Sequence, residues 1–402
     1  MKKKNLIYGL AALPLMSLLG CASSTSQVAE AKVEPVRQVL DYVDPFIGTG
    51  GHGHTFPGAL VPFGMVQLSP DNPSKGWDWT SGYHYSDNIL LGFSHTHLSG
   101  TGVGDMLDVL VMPFRGDYQA RARDDKGRIF TTYGHERETA EPGYYSLYLP
   151  EEKVQAELTA TTRTGVHRYQ FEGEQDAKLL VDLGYAQNYD KPVVTFLKVE
   201  DNYTLSGYRL STGWAKNQPI YFVASFNQPF AHQLFNDNQA LKGDQLLAEK
   251  GQIVLNFGKP KQALEAKIAL SYTSIAGAKA NLEAETADKD FAQVKWLASQ
   301  AWVQQLGKFQ VQDDDKTNKT KFYTALYHAF VAPQVFHDVD GAFFGADGAV
   351  HRDKNYQRYS LFSLWDTFRA LHPLLTLSNP EKVDDMVQSM LGFYDETGLL
   401  PT

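Results

Sequence analysis

Between Val43 and about Ile275 the apolar residues come in short runs separated by Gly, Pro, Asn and Asp. Gly165–Phe171, Lys178–Leu183, Ile220–Phe226, Gln252–Phe257 and Lys267–Tyr272 are such runs. In the first, Val166, Arg168 and Gln170 alternate with His167, Tyr169 and Phe171. Successive side chains of a strand point to opposite faces, so a period of two with turn residues between the runs predicts a large antiparallel β-sandwich over 41–276. The period then lengthens. From Asp288 to Phe309, residues Phe291, Val294, Lys295, Ala298, Trp302 and Leu306 fall at helical spacing, as do Phe322, Ala325, Leu326, Ala329 and Phe330 between Lys321 and Ala332. A third helix is predicted over Trp365–Leu377. In a fourth, Asn379 is the cap, Pro380 the first helical residue, Val383, Met386, Val387, Met390, Leu391 and Tyr394 one stripe, and Gly398 the stop. The switch falls near 276–290, where bulky apolar residues are scarce, and 277–402 reads as a helical domain. Four helices interrupted by a loop of roughly 30 residues do not close a bundle, so this domain is expected to be incomplete at Thr402.

The N-terminus changes the compartment. Lys2, Lys3 and Lys4 precede an apolar run from Leu6 to Leu19 that is short for a membrane span, and Leu18-Leu19-Gly20-Cys21 has the form of a bacterial lipobox. Residues 1–21 therefore read as a lipoprotein signal peptide, with Cys21, the single cysteine, as the lipid attachment point; the alternative is an ordinary cleaved signal peptide that contains Cys21 by chance. One thiol leaves no disulfide framework and no multi-cysteine zinc site. Ala22 after the cysteine favours the outer membrane or surface of a Gram-negative cell, with the periplasm as the other compartment. Residues 22–40, rich in Ser, Thr, Ala and Glu without apolar period, read as a flexible tether. A net charge of −9 with no long basic run argues against nucleic acid as a partner. Twenty-one Tyr and six Trp suit a carbohydrate-binding surface and an aromatic core equally.

Candidate chemistry concentrates in two places. From Val43 to Gly104 run VDPFIGTGGHGHTFPGALVPFGMVQLSPD, GWDWTSGYHYSD and GFSHTHLSGTGVGD, glycine-rich turns loaded with His, Trp, Tyr and Asp, a composition found where backbone approaches a ligand. His52 with His54, and His95 with His97, are spaced for a transition metal or for hydrogen bonds within packed loops or to a sugar. The second is favoured, since no carboxylate or cysteine completes a tetrahedral set nearby. The glycines from Gly48 to Gly64 lack the phosphate-loop pattern. His337-Asp338-Val339-Asp340-Gly341 with Asp347-Gly348 offers oxygen ligands but misses the EF-hand spacing, and a turn that binds nothing is favoured. In Ser363-Leu364-Trp365-Asp366-Thr367-Phe368-Arg369, Asp366 and Arg369 share a helix face. That fits either a dipole partner paired with Arg369 or a ligand for a sugar hydroxyl or metal-bound water beside an aromatic platform.

Taken in order, those motifs with DGAFFGADGAVH and SLWDTFRALHPLLTL resemble glycoside hydrolase family 92 from about Val43 to Thr402. The resemblance implies a β-sandwich packed on an (α/α)6 barrel, and a calcium-dependent, inverting α-mannosidase that trims terminal α-linked mannose from N-glycans or mannan. Calcium would engage the mannose 2- and 3-hydroxyls while one carboxyl protonates the leaving oxygen and another activates water. By this resemblance Trp365 and Asp366 line the mannose subsite and Trp79 stands near the leaving-group sugar, while Tyr83, His95 and Arg369 are further substrate-binding candidates. The calcium ligands are not identifiable. The general acid and base are expected beyond Thr402, which implies that the chain by itself is an inactive part of such an enzyme. Two other readings stand beside it: a non-catalytic surface carbohydrate-binding lipoprotein, and a polysaccharide lyase, which also pairs helical barrels with β domains.

Overall fold

The structure, a computed structural model, describes residues 35–401. The signal peptide, the lipobox with Cys21 and most of the tether lie outside the described residues.

The short apolar runs fold as two antiparallel sheets. One has seven strands, in the order Ser69–Asp71, Gly92–Ser94, Leu110–Phe114, Lys178–Asp182, Gly251–Asn256, Ala231–Asn236 and Gln239–Leu241. The other has nine, in the order Gln245–Ala248, Lys191–Asp201, Thr204–Thr212, Gln218–Phe226, Leu264–Ser271, Thr164–Phe171, Val154–Ala160, Tyr144–Leu149 and Glu138–Glu141. Tyr144–Leu149 shows the half-buried alternation the sequence predicts, every second residue being buried. Thr164–Phe171 departs from it: His167 and Tyr169 face the core, yet Val166 on the opposite face is also buried, packed on Phe291 and Val294. The outer face of this sheet is not left to water, because helices lie across it.

Six α-helices occur among the described residues: α1 Ile275–Thr286, α2 Phe291–Leu306, α3 Lys316–Ala329, α4 Leu364–Thr367, α5 Leu371–Ser378 and α6 Pro380–Thr397. Four were expected. The stretch read as the switch is itself α1, capped by Ser274, whose hydroxyl accepts from the Gly277 N–H. Its small residues escaped an apolar-stripe search because it packs closely on the sheet through Ala278 and the buried Asn281. The third predicted helix is two, α4 and α5. Pro373 has no N–H for the Arg369 carbonyl and its ring would clash there, so one continuous helix cannot pass this point. In α6 Pro380 and the left-handed Gly398 (φ 76°) stand where expected, but Asn379 makes no side-chain cap; its amide pairs with Gln305 of α2. The loop before α4 holds short ladders, Gln334–Val335 with Tyr359–Ser360 and Ala342–Phe344 with Val350–Arg352.

Strand and helix regions are stitched through the run from Val43 to Val66. The Trp302 indole of α2, wholly buried, donates to the Leu60 carbonyl (2.7 Å), the Phe63 N–H donates to Phe330 O (2.8 Å), and the Asp44 N–H donates to Thr324 Oγ1 (2.9 Å). Residues 36–402 form one compact unit. No helix among the described residues is long and apolar enough to cross a membrane.

Candidate functional site

A cavity of about 640 Å³ opens at this seam. Its sandwich side is the loop Leu98–Val103 and Trp214; its helical side is formed by His328, Pro333, Gln334, Trp365, Asp366 and His372, among others. Of the sequence candidates, it brings Trp365 and Asp366 together.

The loop 98–103 is held from behind by the histidines that precede it. His97, fully buried, is bonded through Nδ1 to Gln67 O (2.7 Å) and through Nε2 to Asp71 Oδ1 (2.9 Å). His95 Nδ1–H donates to Val109 O (2.7 Å) and its Nε2 lies 3.0 Å from His167 Nε2. Burial pushes the His95 pKa down to about 4, so the ring is neutral near pH 7. From the side, the exposed Trp77 donates its indole N–H to Gly102 O (3.1 Å), and Thr80 Oγ1 donates to Thr101 O (3.3 Å). A Cβ on Gly102 would sit 2.4 Å from the Trp77 ring nitrogen, so a side chain there would displace the Trp77 ring from this contact.

Trp79, Tyr83, His95 and Arg369 do not line the cavity. Trp79 is half-buried, stacked on His84 (ring centroids 4.2 Å apart) and bonded to Asp87 (3.1 Å). Tyr83 is wholly buried and donates to Glu138; burial, with that carboxylate alongside, holds its phenol far above the usual range. Arg369 lies over the Phe368 ring at 5.1 Å, and Asp366 accepts instead from Ser363 Oγ (2.6 Å), so of the two readings of this motif the pairing with Arg369 is not the one adopted.

The break between α4 and α5 has a chemical consequence. It leaves Trp365, 59% exposed, and Asp366 on a four-residue turn at the cavity, with His372 entering from the first turn of α5. His372 Nε2 is buried without a hydrogen-bond partner, and burial lowers its pKa. His328 is fixed by its bond to Ile47 O (2.9 Å), and burial lowers its pKa too. Leu361, just before this turn, is held in the left-handed region (φ 63°), a strained conformation for its type. The cavity thus offers an aromatic face, a carboxylate, neutral imidazoles and the amide of Gln334, a set that suits an uncharged polyhydroxyl ligand. Sequence reasoning missed His328, Gln334, His372 and Trp214, which carry no spacing signal and come together only through the fold.

The other acidic and histidine candidates are engaged elsewhere. Asp338, buried, accepts from Ser271 (2.8 Å), Thr273 (2.5 Å) and Asn281 (2.8 Å), and burial raises its pKa. Asp340 pairs with Arg352 (2.6 Å), Asp347 with His351 (3.0 Å), and His52 with Asp78 (2.6 Å). Among the described residues no group of three or more His, Cys, Asp or Glu is arranged to hold a metal ion. Calcium takes about six to eight oxygens. The described lining, with Asp366 as its one carboxylate, does not by itself make such a shell.

Comparison with known proteins bears on what this cavity belongs to. Residues 42–271 match the glycosyl hydrolase family 92 N-terminal domain and residues 277–402 the glycosyl hydrolase family 92 catalytic domain. A family GH92 α-mannosidase of Bacteroides thetaiotaomicron, solved in complex with mannoimidazole, superposes with a TM-score of 0.86 at 32% identity, covering 90% of this chain and 50% of that one. An inverting mannosidase of the same family from Bacteroides thetaiotaomicron VPI-5482 gives 0.78 at 28% identity, with 90% and 49% covered. An uncharacterized secreted glycosidase of Arthroderma benhamiae is 27% identical over 365 residues, 82% of this chain and 45% of its own length. The chain thus spans about half the length of these relatives. With both family models matched in order over the sandwich and the helices, the chain belongs to glycosyl hydrolase family 92.

Proposed function

We propose that the seam cavity is the mannose-recognition part of an exported α-mannosidase acting on terminal α-linked mannose of N-glycans or mannan. The observation that carries this is the joint placement of Trp365 and Asp366 in one cavity with the loop 98–103, in a chain whose fold is shared with a family α-mannosidase solved with mannoimidazole. The Trp365 ring offers an apolar wall for a pyranose C–H face, and the Asp366 carboxylate, oriented by Ser363, accepts hydrogen bonds from ring hydroxyls. His372, neutral and with Nε2 free, donates to or accepts from a further hydroxyl.

Inverting hydrolysis uses two carboxyl groups about 6.5–9.5 Å apart. Among the described residues the cavity presents Asp366 alone, so the chain by itself is proposed to bind mannose without turning it over. Calcium enters this proposal on family resemblance. Titration of the chain with methyl α-mannoside by calorimetry, with and without chelator, is the test. Saturable binding that Asp366→Ala weakens about tenfold or more and that chelator weakens supports the reading. Binding indifferent to Asp366 removes it, and chelator-insensitive binding removes calcium from it. Anchoring through Cys21 is a second part of the proposal, supported by the lipobox; Cys21→Ser is expected to move the protein from the membrane to the soluble fraction, and unchanged membrane retention would contradict it.

A further inference from the structure

The loop 98–103 returns to the sandwich through a strained neck. Met106 (φ 72°), Leu107 (φ 64°) and Val109 (φ 55°) all lie in the left-handed region, and none has glycine's freedom. For a β-branched residue such as Val109 this conformation is an outlier that persists only where the surroundings over-determine it. Two backbone bonds close the neck, His95 N–H to Asp108 O and Leu107 N–H to Thr96 O (both 2.9 Å). Asp108, buried among the strained residues, adds three more. Its N–H donates to Thr96 Oγ1 (2.8 Å), its Oδ2 accepts from the Thr96 hydroxyl (2.8 Å), and its Oδ1 accepts from the Arg209 guanidinium (2.5 Å).

Arg209 comes from the other sheet. It stands in strand Thr204–Thr212 of the nine-stranded sheet, wholly buried, and also donates to Leu183 O and Tyr185 O (both 3.0 Å) and to the Asp190 carboxylate. Asp190 opens a second route to the loop, because the N–H of its neighbour Tyr189 donates to Gly104 O (3.1 Å). One guanidinium thus ties the neck and, through the segment 183–190, the chain just past residue 103. A buried ion pair is a poor source of stability, since desolvating the charges offsets much of their attraction; its better-attested use is to specify one conformation over others. Here that conformation is one the backbone at Met106, Leu107 and Val109 disfavours. An apolar side chain at 209 could fill the space but offers Asp108 nothing. We infer that Arg209, which is not among the residues lining the cavity, is the positioning residue for its sandwich wall: it fixes the neck 106–109 and so sets where the loop 98–103 stands relative to Trp365 and Asp366. The sugar readout of this inference rests on reading the cavity as a mannose site.

Two variants of the full chain test it. Arg209→Lys keeps the charge but loses the planar fork, and one ammonium cannot reproduce its spread of donors. Thr96→Val takes the hydroxyl from Asp108 and leaves Arg209 in place. Near-UV circular dichroism verifies folding; if Arg209→Lys does not fold, Thr96→Val carries the test. Amide hydrogen exchange by mass spectrometry and calorimetric titration with methyl α-mannoside are then compared with the unaltered chain. The expected result is exchange about tenfold faster over 98–109, unchanged over strands Lys178–Asp182 and Gln218–Phe226, with sugar binding about fivefold weaker. Unchanged exchange over 98–109 overturns the assignment, as does an acceleration spread evenly over both sheets, which would make Arg209 a support of the sandwich alone. Local acceleration with unaltered sugar affinity overturns the link from neck to cavity. If the unaltered chain binds no methyl α-mannoside, the mannose reading falls, and the exchange pattern by itself decides whether Arg209 positions the loop.

Discussion

At the residue scale the motif histidines act first as scaffold. His95, His167 and Tyr169 form a buried chain that one proton arrangement satisfies: Nδ1–H of His95 on Val109 O, Nε2–H of His167 on His95 Nε2, and the Tyr169 hydroxyl on His167 Nδ1 (2.7 Å). Both rings must be neutral for this. Burial lowers His167 well below the usual range and takes His95 from 6.5 to about 4. On unfolding each ring would take up a proton below pH 6.5, so their contribution to stability is full above that value and falls away as pH drops toward 4. For His95 alone the loss at pH 5 is about 2 kcal/mol. Urea unfolding at pH 7.5 and pH 5 is expected to show this fall, and a smaller one in His167→Gln, where one of the two buried rings is gone. An equal fall in both proteins would place the acid sensitivity elsewhere. That His95 would be special was legible from its motif, but its role was not, because its partner His167 lies 72 residues away on a strand whose pattern declares only alternation.

At the element scale, periodicity found the strands and most helices, and each departure has a local cause. The α1 segment was unreadable as a helix because its packed face is built of small residues and Asn281 rather than a bulky stripe. The α4–α5 break was passed over, since the apolar pattern runs through Pro373 as one helix, and it matters more, since it sets the Trp365–Asp366 turn apart. Pro373→Ala restores the N–H that can satisfy the Arg369 carbonyl and removes the ring clash. This variant is expected to gain a few residues of helix by far-UV circular dichroism and to bind methyl α-mannoside several-fold more weakly as the turn reorients. Unchanged affinity alongside a gain in helix would show that the break does not position the site. In α6 the predicted stripe is divided: Met386 is buried, while Val387, Leu391 and Tyr394 stay exposed, as does Leu377 of α5. The stripe in the sequence is wider than the surface these residues cover.

At the scale of the molecule, the glycine-rich N-terminal motifs are one construction. Val43–Val66 threads between sandwich and helices, 67–97 anchors the wall, and 98–105 delivers it to the cavity facing the α4–α5 corner. Sequence could mark these segments as unusual but not say which side chains reach the cavity: Trp79 and Trp365 are the same residue type, yet Trp79 is half-buried against His84 while Trp365 is 59% exposed at the cavity. Mannose binding at the seam is checked by a crystal structure of the chain with a mannose-configured ligand such as mannoimidazole. Ligand density is expected in the seam cavity, its ring against Trp365 and a hydroxyl within hydrogen-bond distance of Asp366. Ordered ligand elsewhere on the sandwich with the seam cavity empty of it would rule out binding at the seam.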